Sequence, residues 1–206
     1  MHERLSALDV ALVLPSSIAD CLTRLNASLL PPPDGFHFDT THVPHLTLVQ
    51  QFSRLDALQD ITDEITSTAQ CTAPLQLTTD KLSTGETAVV LTVEHTKALN
   101  NLHRRLMKRL ERFASATGDK TGFVNTDPNE SARTRDVTCV KQFRRNASYE
   151  AFTPHITLGI GHLDQPSPVQ TFTVTNLALY QLGRFCTCRR LLQSFTLSRN
   201  RKRSKE

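Results

Sequence analysis

Apolar positions along the chain switch between two periods, one of two residues and one close to a helical turn, and their order lays out the elements. Residues 8–14, Leu-Asp-Val-Ala-Leu-Val-Leu, read as a first strand. Ile18, Leu22, Leu25 and Leu29 then recur at helical spacing behind Ser16 or Ser17 as a cap, and Pro31-Pro32-Pro33 stops that helix before a turn at Asp34-Gly35. A strand-like segment follows Pro44, and then a helix with Leu55, Leu58, Ile61 and Ile65 on one face. Residues 75–82 and 87–94 read as a hairpin around Ser83-Thr84-Gly85-Glu86. A third helix, 96–113, turns Leu99, Leu102, Leu106, Leu110 and Phe113 inward and Arg105, Lys108, Arg109 and Arg112 outward, as a solvated face or an RNA contact. From Ser115 to Asp136 the chain is polar and aperiodic, which reads as either a mobile functional loop or disorder. Val137 to Gln142 is expected to be a short strand, and 170–182 and 186–197 two further strands. Strands and helices alternate in each half, so the pattern predicts an α+β fold of two lobes with antiparallel sheets flanked by helices.

Two segments stand out from this pattern because they are nearly the same. Pro44-His45-Leu46-Thr47-Leu48 and Pro154-His155-Ile156-Thr157-Leu158 both read Pro-His-aliphatic-Thr-Leu. On a strand, His45 and Thr47 share one face and Leu46 and Leu48 the other, and the second copy divides in the same way. Each proline lacks a ladder donor and belongs at a strand start or edge. Two such strands across a groove would gather two imidazoles and two hydroxyls around one small volume. Histidine titrates near neutrality, so one ring can accept a proton while the other gives one. Threonine hydroxyls can donate to the non-bridging oxygens of a phosphate. The chemistry that fits is phosphodiester cleavage by in-line attack of water or a ribose hydroxyl, and nothing in it requires a metal. Which histidine is base and which is acid is left open.

These paired His-x-Thr-hydrophobic motifs, at 45–48 and 155–158, resemble the 2H phosphoesterase superfamily, which includes bacterial 2′-5′ RNA ligase-like proteins and eukaryotic cyclic phosphodiesterases. Motif order and spacing suit the chain from about residue 8 to about residue 197. The resemblance implies a bilobal duplicated fold with one motif strand per lobe lining a central cleft. It implies activity on 2′,3′-cyclic phosphates, 2′-5′ linkages or RNA 3′ ends, hydrolytic or as reversible 2′-5′ ligation, with His45 and His155 catalytic, Thr47 and Thr157 on the phosphate, and no cofactor. A groove that binds a nucleotide or RNA end without turnover is the rival reading. The run Leu182 to Arg190 is similar to a stretch in uncharacterised bacterial-type members and assigns no substrate.

Around the motifs, Tyr149, Phe152 and Phe123 are candidates to stack on a base, and Arg144 and Arg145 to bind a second phosphate. Each also has a plain structural role open to it, in the core or as solvated charge. His37, His42 and His45 are three imidazoles in nine residues, but their spacing puts His42 and His45 on opposite strand faces, so no metal site is expected. The five cysteines lack the spacing of a disulfide framework. Cys186 and Cys188 would share a face of one strand as small apolar residues in a reducing, cytoplasmic setting.

Net charge changes the picture only at the end of the chain. Residues 199–206 carry five basic groups and one acid, leaving residues 1–198 neutral overall. A neutral body does not suit a protein that grips many phosphates of a long nucleic acid. It suits a nucleotide or RNA-end substrate in a focused pocket. The tail reads as a solvated end or a nuclear-localisation or RNA-contact patch. No apolar run approaches membrane-spanning length, and a monomer of one bilobal domain, 1–198, is the default expectation.

Overall fold

The computed structural model describes residues 4–85, 88–125 and 130–198. In order, the elements are β1 (Leu5–Val13), α1 (Ser16–Asn26), β2 (His45–Arg54), α2 (Leu58–Gln70), β3 (Leu75–Thr84), β4 (Val89–Val93), α3 (Lys97–Leu110), α4 (Thr134–Asn146), β5 (His155–Gly159), β6 (Thr171–Val174), β7 (Asn176–Leu182) and β8 (Cys188–Thr196). The strands make two four-stranded antiparallel sheets, ordered β2-β1-β7-β8 and β5-β4-β3-β6. Each motif strand is therefore an edge strand, and β2 and β5 lie against each other. Each also pairs with the strand that precedes a helix: β2 with β1, which runs into α1, and β5 with β4, which runs into α3, with α4 intervening before β5. The fold is the expected α+β arrangement.

One apolar core joins the two sheets to α1, α2 and α3, with Leu12, Leu46, Ile61, Leu91, Leu106 and Ile156 inside it. The first sheet is buried on its other face as well. There Ala7, Ala11, Phe52, Ala178, Tyr180, Leu182 and Cys188 meet Phe123, Ala132 and Val140 from the segment laid across them. Strand β1 feeds both clusters, Leu8, Val10 and Leu12 to one and Ala7 and Ala11 to the other, as period-2 alternation requires.

Several expectations are corrected. The strand expected at 137–142 is part of helix α4. Val137, Val140 and Phe143 repeat every three residues, and the Asp136 carboxylate accepts the Arg133 backbone N–H at 2.8 Å, which satisfies one donor at the helix start. The loop 115–136 thus ends in a helix, and its described part packs rather than hangs free: Phe123, Val124 and Ala132 are buried. The strand expected over 170–182 is two strands in different sheets, because the chain crosses between them at Thr175. The inward residues record the crossing: Phe172 and Val174 are even-numbered, Leu177 and Leu179 odd. Pro15, not Ser16 or Ser17, holds the N-cap of α1, with no side-chain cap bond. Cys186 sits in a 3-10 turn ahead of β8, not on a strand with Cys188. The outward stripe of α3 is partly neutralised, since Arg109 and Arg112 both pair with Glu64. Glu86 of the expected hairpin turn and the basic tail 199–206 lie outside the described residues.

The two halves are tied at the motifs. Register steps from Val10↔Val49 to Ala11↔Thr47, so Leu48 is an extra, bulged residue of β2. It steps from Val89↔Gly159 to Val90↔Thr157, so Leu158 is the matching bulge of β5. A bulged residue leaves backbone groups that the ladder does not satisfy. Here a buried side chain from the helix of the other half supplies the partner. His103 of α3 donates from Nδ1 to the Leu48 carbonyl at 2.8 Å, and its Nε2 accepts the Tyr149 N–H at 2.9 Å. Asn26 of α1 donates from Nδ2 to the Leu158 carbonyl at 2.7 Å and the Phe36 carbonyl at 2.8 Å, while its Oδ1 accepts the Phe38 N–H at 2.6 Å. Gly159 lets α1 come this close, since a Cβ there would lie 2.9 Å from Leu29 Cδ1 and 3.2 Å from Asn26 Nδ2.

These ties generate two predictions. Replacing Asn26 by Ala strands two buried carbonyls and the half-buried Phe38 N–H, so urea unfolding should show a loss of at least about 2 kcal/mol. The second concerns pH. Burial lowers His103 below the ordinary imidazole value of 6.5, outweighing its bond to Leu48, with Arg104 and Arg144 adding to the effect. The unfolded chain therefore binds this proton more readily. The corresponding stability is whole above pH 6.5 and drains away as pH falls below it. Stability measured from pH 8 to pH 5 should fall less steeply in His103→Gln than in the parent, and equal slopes would refute this assignment.

Candidate active site

A cavity of about 610 Å³ lies where β2 and β5 meet, and His45, Thr47, His155 and Thr157 all line it. The pleat does this as the sequence implied: Leu46, Leu48, Ile156 and Leu158 are fully buried on the opposite face. The two histidines are held alike. His45 Nδ1–H donates to the Val43 carbonyl and His155 Nδ1–H to the Thr153 carbonyl, each at 2.8 Å and each two residues back. A carbonyl can only accept, so Nδ1 carries the proton in both rings and Nε2 is left for chemistry.

The threonines are not held alike. Thr47 Oγ1 donates to Asp9 Oδ2 at 2.7 Å, and Gln50 Nε2 donates to the same oxygen at 2.9 Å. No bond from the Thr157 hydroxyl to any described residue is present, so its proton can go to a ligand. Asp9 is fully buried on β1. Burial pushes its carboxyl above the usual range, against the opposing pull of His45, Gln50 and Thr47. Nearby, burial reinforced by Cys188 and Asp9 pushes Tyr180 up to about 12.

Phe36, Phe38, Val43, Phe143 and Phe185 make much of the remaining lining apolar, with Arg133 and Arg135 at its edge. The Arg133 guanidinium lies 3.9 Å over the Phe185 ring and pairs with Asp136 at 2.6 Å. Arg135 makes no ion pair with any described residue. Phe185 itself sits at φ 62°, a left-handed backbone that the Asp136 carboxylate supports by accepting its N–H at 3.2 Å. His42 borders the cavity, 6.1 Å from the Phe36 ring, and Arg189 donates to it.

None of Tyr149, Phe152, Arg144 and Arg145, expected near the substrate, lines this cavity. Phe152 is buried and stacked on His103 at 3.9 Å between centroids. Phe123 is buried against Phe52. Arg144 is a strut, donating to the Met107 carbonyl at 3.0 Å and to Gln51 Oε1 at 2.7 Å. Among the described residues Arg145 bonds its neighbour Asn146, and Tyr149 is exposed beside His103. The His37-His42-His45 cluster does not form, for His37 bonds the Leu29 carbonyl and His42 bonds Asp39. Sequence reasoning passed over Asp9 and Gln50, although an acid inside an otherwise apolar strand was a visible signal. Arg133, Arg135 and Cys139 were hidden by the misread helix α4.

The family model of the 2′-5′ RNA ligase superfamily matches residues 14–185. Among solved structures, LigT of E. coli complexed with 3′-AMP is similar at 18% identity, covering 94% of this chain and 99% of that one, with a TM-score of 0.59. TT0787 of Thermus thermophilus is similar at 18% identity, covering 93% of this chain and 97% of that one, with a TM-score of 0.58. At this identity the likeness to both is one of fold. A comparison with curated proteins gave no match. No described helix is long and apolar enough to cross a membrane.

Helix α4 also brings a distinctive thiol to the cavity. A hydrogen bond from Cys186 lowers Cys139 to about 6, aided by Arg135 and Arg133 against burial and Asp136. Thiolates are the reactive form. Iodoacetamide at pH 7 should therefore modify Cys139 ahead of the exposed Cys71, as followed by peptide mass mapping.

Proposed function

Because the chain belongs to the 2′-5′ RNA ligase superfamily, we propose that it is a metal-independent phosphodiesterase for 2′,3′-cyclic phosphates, 2′-5′ linkages or RNA 3′ ends, with His45 and His155 as its acid–base pair. Membership supports an activity on phosphodiester bonds. The observation that carries the finer reading is the matched Nδ1–H to carbonyl bond of the two rings, which turns two Nε2 atoms to one cavity with the same tautomer. With one ring neutral, its Nε2 lone pair takes the proton of an attacking water or ribose hydroxyl. With the other ring protonated, its Nε2–H gives a proton to the departing ribose oxygen. Each turnover exchanges the two protonation states, and solvent resets them.

Charge building on the non-bridging oxygens needs donors. Thr157 has its hydroxyl proton free for this, and Arg135 brings a positive charge to the same cavity. Thr47 is already spending its proton on Asp9. A cavity of about 610 Å³ has the capacity for a nucleotide. Phe36, Phe38, Phe143 and Phe185 offer faces for a base, in place of the aromatics first expected there. LigT has been crystallised with 3′-AMP and with ATP, which is in keeping with a nucleotide-sized ligand here.

The test is hydrolysis of 2′,3′-cyclic nucleotides and short 2′-5′-linked oligonucleotides in excess chelator. His45→Ala and His155→Ala should each lower kcat/KM by roughly 10²- to 10⁴-fold. Thr157→Val should cost about 10²-fold, and Thr47→Val less. A His155→Ala protein as active as the parent would sink the pair. Tight nucleotide binding by the parent without product would make the groove a binding module instead.

A further inference from the structure

We propose that Asp9, His45 and Cys188 form a site for a thiophilic divalent cation, Zn²⁺ foremost, whose binding silences the histidine pair. The inhibitory consequence rests on the reading above; the site does not. The three residues come from β1, β2 and β8, and each offers one ligand atom within 4.8 Å of the other two. Tetrahedral zinc ligands stand roughly 3.5 Å apart, so about an ångström of side-chain movement closes the set. Asp9 and Cys188 are fully buried, whereas His45 is half-buried and lines the cavity. A fourth position therefore faces the substrate space.

The surroundings are those of a ligand set. Asp9 Oδ1 is buried without a hydrogen-bond partner among the described residues, while Oδ2 is held by Thr47 and Gln50. His45 gives Nδ1–H to a backbone carbonyl, which fixes the ring and leaves Nε2 with a lone pair. Oriented carboxylate and oriented imidazole are what outer partners provide at metal centres. One sulfur, one imidazole and one carboxylate oxygen suit zinc or cobalt, and not magnesium or calcium, which want oxygen. On binding, the Cys188 S–H bond breaks, its proton leaves to solvent, and the sulfur electron pair goes to the metal. His45 Nε2 gives its lone pair to the same ion and can no longer take or return a proton.

The experiment is titration of the full chain, stripped by chelator and then desalted, with Co²⁺. One equivalent should raise a thiolate-to-cobalt charge-transfer band that one equivalent of Zn²⁺ erases. Cys188→Ser should abolish the band, and the Cys139→Ser/Cys186→Ser double variant should keep it. Asp9→Asn, which leaves Cys188 untouched, should weaken cobalt at least tenfold and serves as the arbiter if Cys188→Ser fails to fold. Zn²⁺ should inhibit cyclic-nucleotide hydrolysis at the same stoichiometry, reversibly by chelator. No band in folded parent protein, or a band that survives Cys188→Ser, overturns the site. A band that behaves as expected, in a protein that turns over no phosphodiester, upholds the site and overturns the functional reading instead.

Discussion

Everything at the cavity depends on a reciprocal hydrogen-bond exchange between the halves. The last leucine of each motif is bulged out of its ladder, and its carbonyl is taken by a buried side chain from the helix of the opposite half: Leu48 by His103, Leu158 by Asn26. Each of these side chains also fixes the segment that leads into its own half's motif, Phe36 and Phe38 for Asn26, Tyr149 for His103. An orphaned carbonyl in a core costs on the order of 1–3 kcal/mol. Each edge strand is therefore tied by a directional bond to the helix of the opposite half. Apolar packing alone is non-directional and would tolerate sliding of β2 past β5. The exchange of polar bonds fixes the offset of the strands, and with it the relation of the two imidazoles.

Against that shared frame, the site is asymmetric. Both rings present Nε2 by the same backbone device, but among the described residues only the first motif has a buried carboxylate beneath it. Asp9 draws the Thr47 proton inward and leaves Thr157 as the free hydroxyl donor. A duplicated fold so acquires a polarity along its groove without losing the matched histidines. That polarity bears on which end of a phosphodiester lies at which ring, a question the repeated pentapeptide could not answer.

The pentapeptides, the strands around them and helices α1 to α3 were legible because their periodicity is driven by burial on one face. Legibility failed where another force governs. Helix α4 was hidden because Thr, Arg, Lys, Gln and Asn make up most of it and Val137, Val140 and Phe143 are the apolar marks of its inner side; its start is set by the buried Asp136. The β6–β7 crossing was hidden because both flanking runs are strand-like and only the parity of the inward residues changes. For Phe152 and Phe123 the sequence left stacking and core both open, and the core claimed them. Asn26 and His103 carry no sequence signature, since their worth comes from carbonyls 132 and 55 residues away.

Charge placement and cavity shape bear jointly on substrate size. A long RNA is held by many phosphate contacts, each needing a cation along its path. Two of the outward arginines that could have supplied such a path, Arg109 and Arg112, share Glu64, and residues 1–198 carry no net charge. What the cavity offers is one unpaired guanidinium among the described residues, a free hydroxyl, two imidazoles and a wall of phenylalanines. That is enough for one phosphate and one base. Affinity here has to come from stacking and from a single anion, so recognition is expected to be local to the end of a chain or to a mononucleotide, with weak dependence on salt.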